Sequence, residues 1–197
     1  MIVQSLRQSG AERVTLTFDD GKEFSVSLSV VTDMRLYVGK QLDEAQFEML
    51  KYKTALSLAR ELGLELLSRR MHSEAELREK LLRKGTDPAA VEEALIWLQD
   101  HLYLDDTRYA SAIVRHYLKK GYGEQRIRSE LYRRGIPRDY WDEALKELSG
   151  TEEQIERYLR SRLKDPTDRE EVRKLSAALA RRGFSWDEIR SAFDRIS

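Results

Sequence analysis

Two regimes of apolar spacing divide the chain. Near the N-terminus Val14, Leu16 and Phe18 alternate with polar residues, as do Phe24, Val26 and Leu28, which is the period of half-buried strands. Asp19-Asp20-Gly21 lies between the two runs. A three-residue loop there, a type I turn followed by a left-handed glycine, sets Phe18 opposite Lys22, Leu16 opposite Phe24 and Val14 opposite Val26. Both apolar sets then share one face. A two-residue loop at Asp20-Gly21 would put them on opposite faces, so the register argument selects the longer loop. A lone hairpin is marginal in water. It requires a third strand, for which Met34 to Val38 is the candidate, or a covering helix.

From about Leu42 the period changes to that of helices. Ala55, Leu58, Ala59, Leu62 and Leu66 fall on one amphipathic stripe. Beyond it the chain repeats itself. With Gly85, Gly135 and Gly183 aligned, the segments LREKLLRKGTDPAAVEEALIWL, IRSELYRRGIPRDYWDEALKEL and LSAALARRGFSWDEIRSAFDRI come into register. Leu77, Ile127 and Leu175 share a column, as do Leu81, Leu131 and Leu179. After the glycine the columns are Val91, Trp141 and Ile189; Ala94, Ala144 and Ala192; Leu95, Leu145 and Phe193; Leu98, Leu148 and Ile196. All are apolar in every copy.

The glycine follows a basic helix end, the place for a left-handed residue closing a Schellman-type cap. Starts of the next helices are marked by Asp87-Pro88, by Pro137 as a first-turn proline, and by Ser185 with Glu188 as a capping box. Ser73 with Glu76, Asp105-Asp106, and Thr151 with Gln154 mark earlier starts. Each unit therefore reads as three helices, and stacked units of this length predict an elongated, curved series. The expected fold is mainly α: a β-hairpin-containing extension over 1–50, then three-helix repeats over 51–104, 105–149 and 150–197.

The chain has 197 residues and no cysteine, which excludes disulfides, thiolate nucleophiles and cysteine-ligated metals. No apolar run is long enough for a membrane span and the N-terminus lacks a secretory pattern, so a soluble cytoplasmic protein is expected. Lys+Arg 35 cancel Asp+Glu 35, yet the balance is uneven. Residues 107–148 hold 10 basic and 6 acidic groups, whereas residues 1–50 hold 5 and 8. Lys119, Lys120, Arg126, Arg128, Arg133 and Arg134 thus form a candidate surface for a phosphate backbone or an acidic protein patch. Arg128 pairs in register with Glu124 and Arg134 with Glu130, and the pair before each glycine suits a helix C-terminus, so capping and partner contact both remain open for Arg128, Arg133 and Arg134. Lys119, Lys120 and Arg126 have no such local reason and are assigned to partner contact.

No catalytic pattern emerges. His72, His101 and His116 lie far apart without metal-ligand spacing, and Gly121-Tyr122-Gly123 reads as a turn rather than a phosphate loop. No enzyme activity, metal or cofactor is expected. Trp141 sits in a core column, while Trp97 lies outside the columns and is a candidate exposed anchor.

The runs RRMHSEAELREKLLRKG (69–85), YLDDTRYA (103–110) and GYGEQRIRSELYRRGI (121–136) strongly resemble the RecX family, regulators of the RecA recombinase. The resemblance spans about residues 52–197. It implies a non-enzymatic monomer that lodges in the groove of the RecA filament on DNA and restrains strand exchange, ATP hydrolysis and coprotease activity, with modest DNA affinity of its own. Two other readings of the residues are a stand-alone helix-turn-helix DNA-binding protein and a scaffold that binds only protein.

Overall fold

The computed structural model describes residues 1–148 and 150–196. It is mainly helical, and it divides into two compact units: Met1–His72 with Glu76–Leu104, and Ser73–Ala75 with Asp105–Ser197.

The first unit begins with an antiparallel sheet of β1 (Val3–Gln8), β2 (Arg13–Phe18) and β3 (Glu23–Ser27), in that order. Val14 pairs with Val26 and Leu16 with Phe24. Phe18 N donates to Lys22 O and Gly21 takes φ 81, which is the predicted three-residue loop. The third strand, however, is β1 and not Met34 to Val38. β1 carries apolar residues only at Val3 and Leu6, a spacing without strand period, because it is an edge strand exposed along most of its length. Residues 34–42 instead run as a loop beside it: Val3 N donates to Lys40 O, Gly39 N to Val3 O and Leu42 N to Met1 O. Helix α1 (Leu28–Asp33), capped by Ser27, follows β3 directly.

Helix α2 (Glu44–Arg69) starts at Asp43, whose carboxylate accepts from Gln46 N while the Gln46 side chain accepts from Asp43 N. It is unbroken through residues 50 and 51. Its first turns close the sheet core: Phe47 meets Phe18 and Phe24 edge-on, with ring centroids 5.6 and 5.2 Å away, and Leu50 is fully buried with Val3, Leu16 and Phe18. Its later turns pack on α4 (Pro88–Asp100), α3 (Glu74–Arg83) lying between them in the chain. The deepest line is Leu56, Ala59 and Gly63, offset from the predicted stripe, of which only Ala59 is fully buried. Close approach to Ala90, Ala94 and Leu98 explains this: a Cβ on Gly63 would stand 2.7 Å from Leu98 Cδ1. Apolarity alone gave glycine no weight, although it marks the tightest contact.

The second unit holds α5 (Asp106–Lys119), α6 (Glu124–Arg133), a 3-10 turn Arg138–Tyr140 leading into α7 (Trp141–Leu145), α8 (Thr151–Arg160), α9 (Arg169–Arg181) and α10 (Trp186–Ile196). The aligned columns form the cores in all three copies. Leu81, Leu131, Leu179, Ala94 and Ala192 are fully buried, and Trp141 is buried with Nε1 donating to Ile136 O at 3.0 Å. Gly85, Gly135 and Gly183 take φ 78, 68 and 92, the left-handed cap that the alignment predicts. Asp87, Asp105 and Ser185 cap as expected. Two starts differ. Pro137 precedes the 3-10 turn as an extended residue instead of opening an α-helix. At α8, Gly150 occupies the cap without a side-chain bond and Gln154 Oε1 finds no partner, so the Thr151 and Gln154 box does not close.

One junction recurs within this unit. Ser73 Oγ donates to Arg134 O, at 2.5 Å, and Gly123 N donates to Arg182 O, at 3.0 Å. Ser73 and Gly123 each stand twelve residues before their own copy's glycine and bond the carbonyl just before the next copy's glycine. Asp106 adds to the first case by accepting from Glu74 N at 2.9 Å. In the third copy the corresponding residue is Glu171, which accepts from Lys164 N and Asp165 N of its own loop, and α9 is 13 residues long against 10 for α3 and α6.

Candidate partner-binding surface

Lys119 is the last residue of α5 and Lys120 its cap, so both have the local helix-end reason that sequence spacing denies them, since positive charge suits a helix C-terminus; Arg126 has none. Gly121, at φ 74, lets the chain turn so that Tyr122 N reaches back to Tyr117 O. Gly123 is buried against the Gly183 backbone, where no side chain fits. The glycine pair is thus a packing turn. Helix α6 then carries Arg126 in its first turn.

Six basic positions were candidates, and the structure divides them. Lys119, Lys120 and Arg126 are exposed and have no ion pair among the described residues. Arg128 binds Glu124 at 2.6 Å. Arg133 and Arg134 both bind Glu130, at 2.5 and 2.7 Å. Glu130 is only 3% exposed, so this is more than a solvated surface pair. Burial pushes its carboxyl up, but the hydrogen bonds from Arg133 and Arg134, the charge of Arg134 and the Tyr117 hydroxyl outweigh that and hold it at about 2. Arg134 also lies over the Tyr109 ring, 5.6 Å from its centroid, and donates to the Tyr109 hydroxyl. Its guanidinium therefore belongs to the fold, while most of the Arg133 side chain faces solvent.

Sequence reasoning missed the contribution of the third copy. Arg157, Arg162 and Arg182 gather beside Lys119 and Lys120 around one cavity. Their signal was hidden by the near-neutral sum over residues 149–197, where 10 acidic groups offset 11 basic ones although none of the acidic groups lines that cavity. Trp97 needs correction as well. It is half-buried, stacks on His101 at 4.2 Å and sits under the Arg60 guanidinium at 5.1 Å, which makes it a packing residue of the first unit. Burial lowers the pKa of His72, whose Nδ1 lies 3.5 Å from Glu76. Among the described residues no group of three or more His, Asp or Glu is placed to hold a metal ion, and no helix is long and apolar enough to cross a membrane.

Comparison with known proteins agrees with this architecture. Residues 59–98, 105–145 and 151–193 match the family models for the first, second and third three-helix domains of RecX. The regulatory protein RecX of Bacillus subtilis is 31% identical over 98% of this chain and 75% of its own length. That of Xanthomonas axonopodis pv. citri is 39% identical over 72% of this chain and 88% of its own. A crystal structure of a regulatory protein RecX superposes with TM-score 0.78 at 26% identity, covering 98% of both chains. Three family domains in order, with relatives of this similarity over most of the chain, establish that it belongs to the RecX family of regulatory proteins.

Proposed function

We propose that this chain is a cytoplasmic, monomeric, non-enzymatic regulator that binds the RecA filament on DNA and restrains the recombinase, its ATPase and its coprotease activity. The observation that carries the reading is the group Lys119, Lys120 and Arg126: three exposed cations without a carboxylate partner among the described residues, in a copy that is net positive within a chain that is net neutral. Exposed cations that no carboxylate neutralises suit an anionic partner. A single basic copy suits a partner that already combines protein with DNA better than it suits naked DNA, whose binding would be weak and salt-sensitive.

The test is the DNA-dependent ATPase of the cognate RecA, titrated with the wild-type chain and with the Lys119→Glu, Lys120→Glu, Arg126→Glu triple variant. Wild type should inhibit at or below stoichiometric ratio. The variant should need at least tenfold more protein, while its melting temperature falls by no more than the loss of two helix-end cations explains, roughly 0.3–1 kcal/mol each, and the chain stays folded. Absence of any ATPase effect by the wild type overturns the reading. So does tight, sequence-specific binding to bare DNA that RecA leaves unchanged, which would make the chain a stand-alone DNA-binding protein.

A further inference from the structure

A cavity of about 610 Å³ opens in the second unit, lined by the end of α5, the outer face of α8 and the end of α9. This is within the range of cavities that take small-molecule ligands, roughly 300 to 1,000 Å³. Five cations line it: Lys119, Lys120, Arg157, Arg162 and Arg182. No Asp or Glu does. None of the five has an ion pair among the described residues; Arg182 instead donates to Gly121 O, and Arg162 to Ser161 Oγ.

Part of this charge has a local explanation. The C-cap residues of α5, α8 and α9, namely Lys120, Ser161 and Arg182, all line the cavity, so three helix C-termini converge there. Each contributes roughly −0.5 of a charge, about −1.5 together, which leaves most of the five positive charges uncompensated. One carboxylate would not balance the remainder. A chain of phosphates would, since a single terminal phosphate already carries about −1.5 to −2. The arginines are also held ready: the Arg162 and Arg182 guanidinium carbons stand 4.3 and 4.9 Å from the Tyr158 ring centroid, an arrangement that spares ordering on binding.

The rest of the wall suits the other end of such a ligand. Half-buried Leu118 supplies apolar surface, backed by the buried Leu179 and Phe184, and the lining residue Gln154 has an Oε1 that is shut from solvent and lacks a hydrogen-bond donor. That acceptor becomes reachable only when the Gln154 side chain turns toward an entering ligand, and an amino or ring N–H of a nucleobase then satisfies it. All five cations line one cavity of small-ligand size, whereas a strand's backbone is followed by cations along an extended groove. We propose that this cavity binds a nucleoside polyphosphate, with Lys119, Lys120, Arg157, Arg162 and Arg182 on the phosphates and Gln154 on the base.

The test uses the full chain with a fluorescent ATP analogue, monitored by anisotropy, and competition by ATP, inorganic triphosphate, adenosine, a single-stranded oligonucleotide and a polyglutamate peptide. ATP should saturate and displace the probe. Inorganic triphosphate should compete more weakly, and adenosine at least tenfold more weakly. Arg157→Ala alone and Lys119→Ala with Arg157→Ala should lower affinity, the pair at least tenfold, with unchanged melting because both side chains are exposed. Gln154→Leu should shrink the advantage of ATP over inorganic triphosphate. The proposal fails if the probe does not saturate, if the variants bind as wild type does, or if adenosine matches ATP. It fails equally if the oligonucleotide or polyglutamate competes better than ATP, which would assign the cavity to a strand or to an acidic peptide. No recombinase is present, so failure here leaves the filament reading standing, and failure of the ATPase titration leaves this proposal standing.

Discussion

Replacing Glu130 by Gln removes one charge from a nearly isosteric side chain and isolates its effect. In the native chain the buried carboxylate is shared by Arg133 and Arg134. The Arg133 side chain is 68% exposed and contributes little. The Arg134 side chain is 24% exposed and loses its counterion, keeping only the Tyr109 hydroxyl. Breaking a fully buried pair costs roughly 3–5 kcal/mol, so partial exposure of Arg134 places the loss at about 2–3 kcal/mol. The carboxyl's position, about 2 against an ordinary 4.5, gives about 3.5 kcal/mol at about 1.4 kcal/mol per pH unit, somewhat above that range because solvent at Arg133 and Arg134 screens the pair. For a chain of this size the melting temperature should fall by about 5–10 °C at pH 7. The native pKa lies below the unfolded one, so the unfolded chain takes the proton first. The stabilisation is complete above about pH 4.5 and disappears as the pH falls toward 2. Circular dichroism melts of both proteins from pH 7 to pH 2 should therefore converge at the acid end. Equal melting at pH 7, or a gap that persists unchanged to pH 2, would refute the assignment of Glu130 as a buried structural carboxylate.

Gly135→Val should destabilise the second unit by more than 1 kcal/mol, read as a lower urea midpoint. Its φ of 68 disfavours a β-branched residue, and a Cβ there would meet the Ala75 Cβ at 2.7 Å. Asp106→Ala should cost about 1 kcal/mol, as loss of a cap does, and amide exchange should quicken at Glu74, whose N–H it accepts. Asp105→Ala should instead quicken exchange at Arg108, the amide capped within its own helix. Leu98→Ala, at a fully buried position beside Gly63, should cost about 2–5 kcal/mol by leaving a cavity.

The repeat was legible because its columns are core positions, and burial imposes the same residue type in every copy. Strand register was legible for a related reason: a one-residue slip at Asp19-Asp20-Gly21 would expose Leu16 and Phe18. β1 was not, since an edge strand with Val3 as its single buried residue leaves no period to detect. The candidate surface was legible only in part. Local spacing identified the Arg128 and Glu124 pair, and it left Lys119, Lys120 and Arg126 without one. It could not show that Glu130 is buried, nor that Arg157, Arg162 and Arg182 meet Lys119 across some forty to sixty residues of chain, because the first depends on how helices pack within the second copy and the second on packing between copies.

The junction in which Ser73 and Gly123 reach the carbonyl before the following glycine behaves as a connector with two different halves. The first two copies present the donor half to a successor. In the third, Glu171 N donates to Asp168 Oδ1, its carboxylate accepts from Lys164 N and Asp165 N of its own loop, and α9 carries an added turn, so the corresponding residue bonds within its own copy. Anyone extending the series by design would duplicate the second copy, with Gly123 and Gly135, because a duplicated third copy would bring an acidic residue where an open connector is needed.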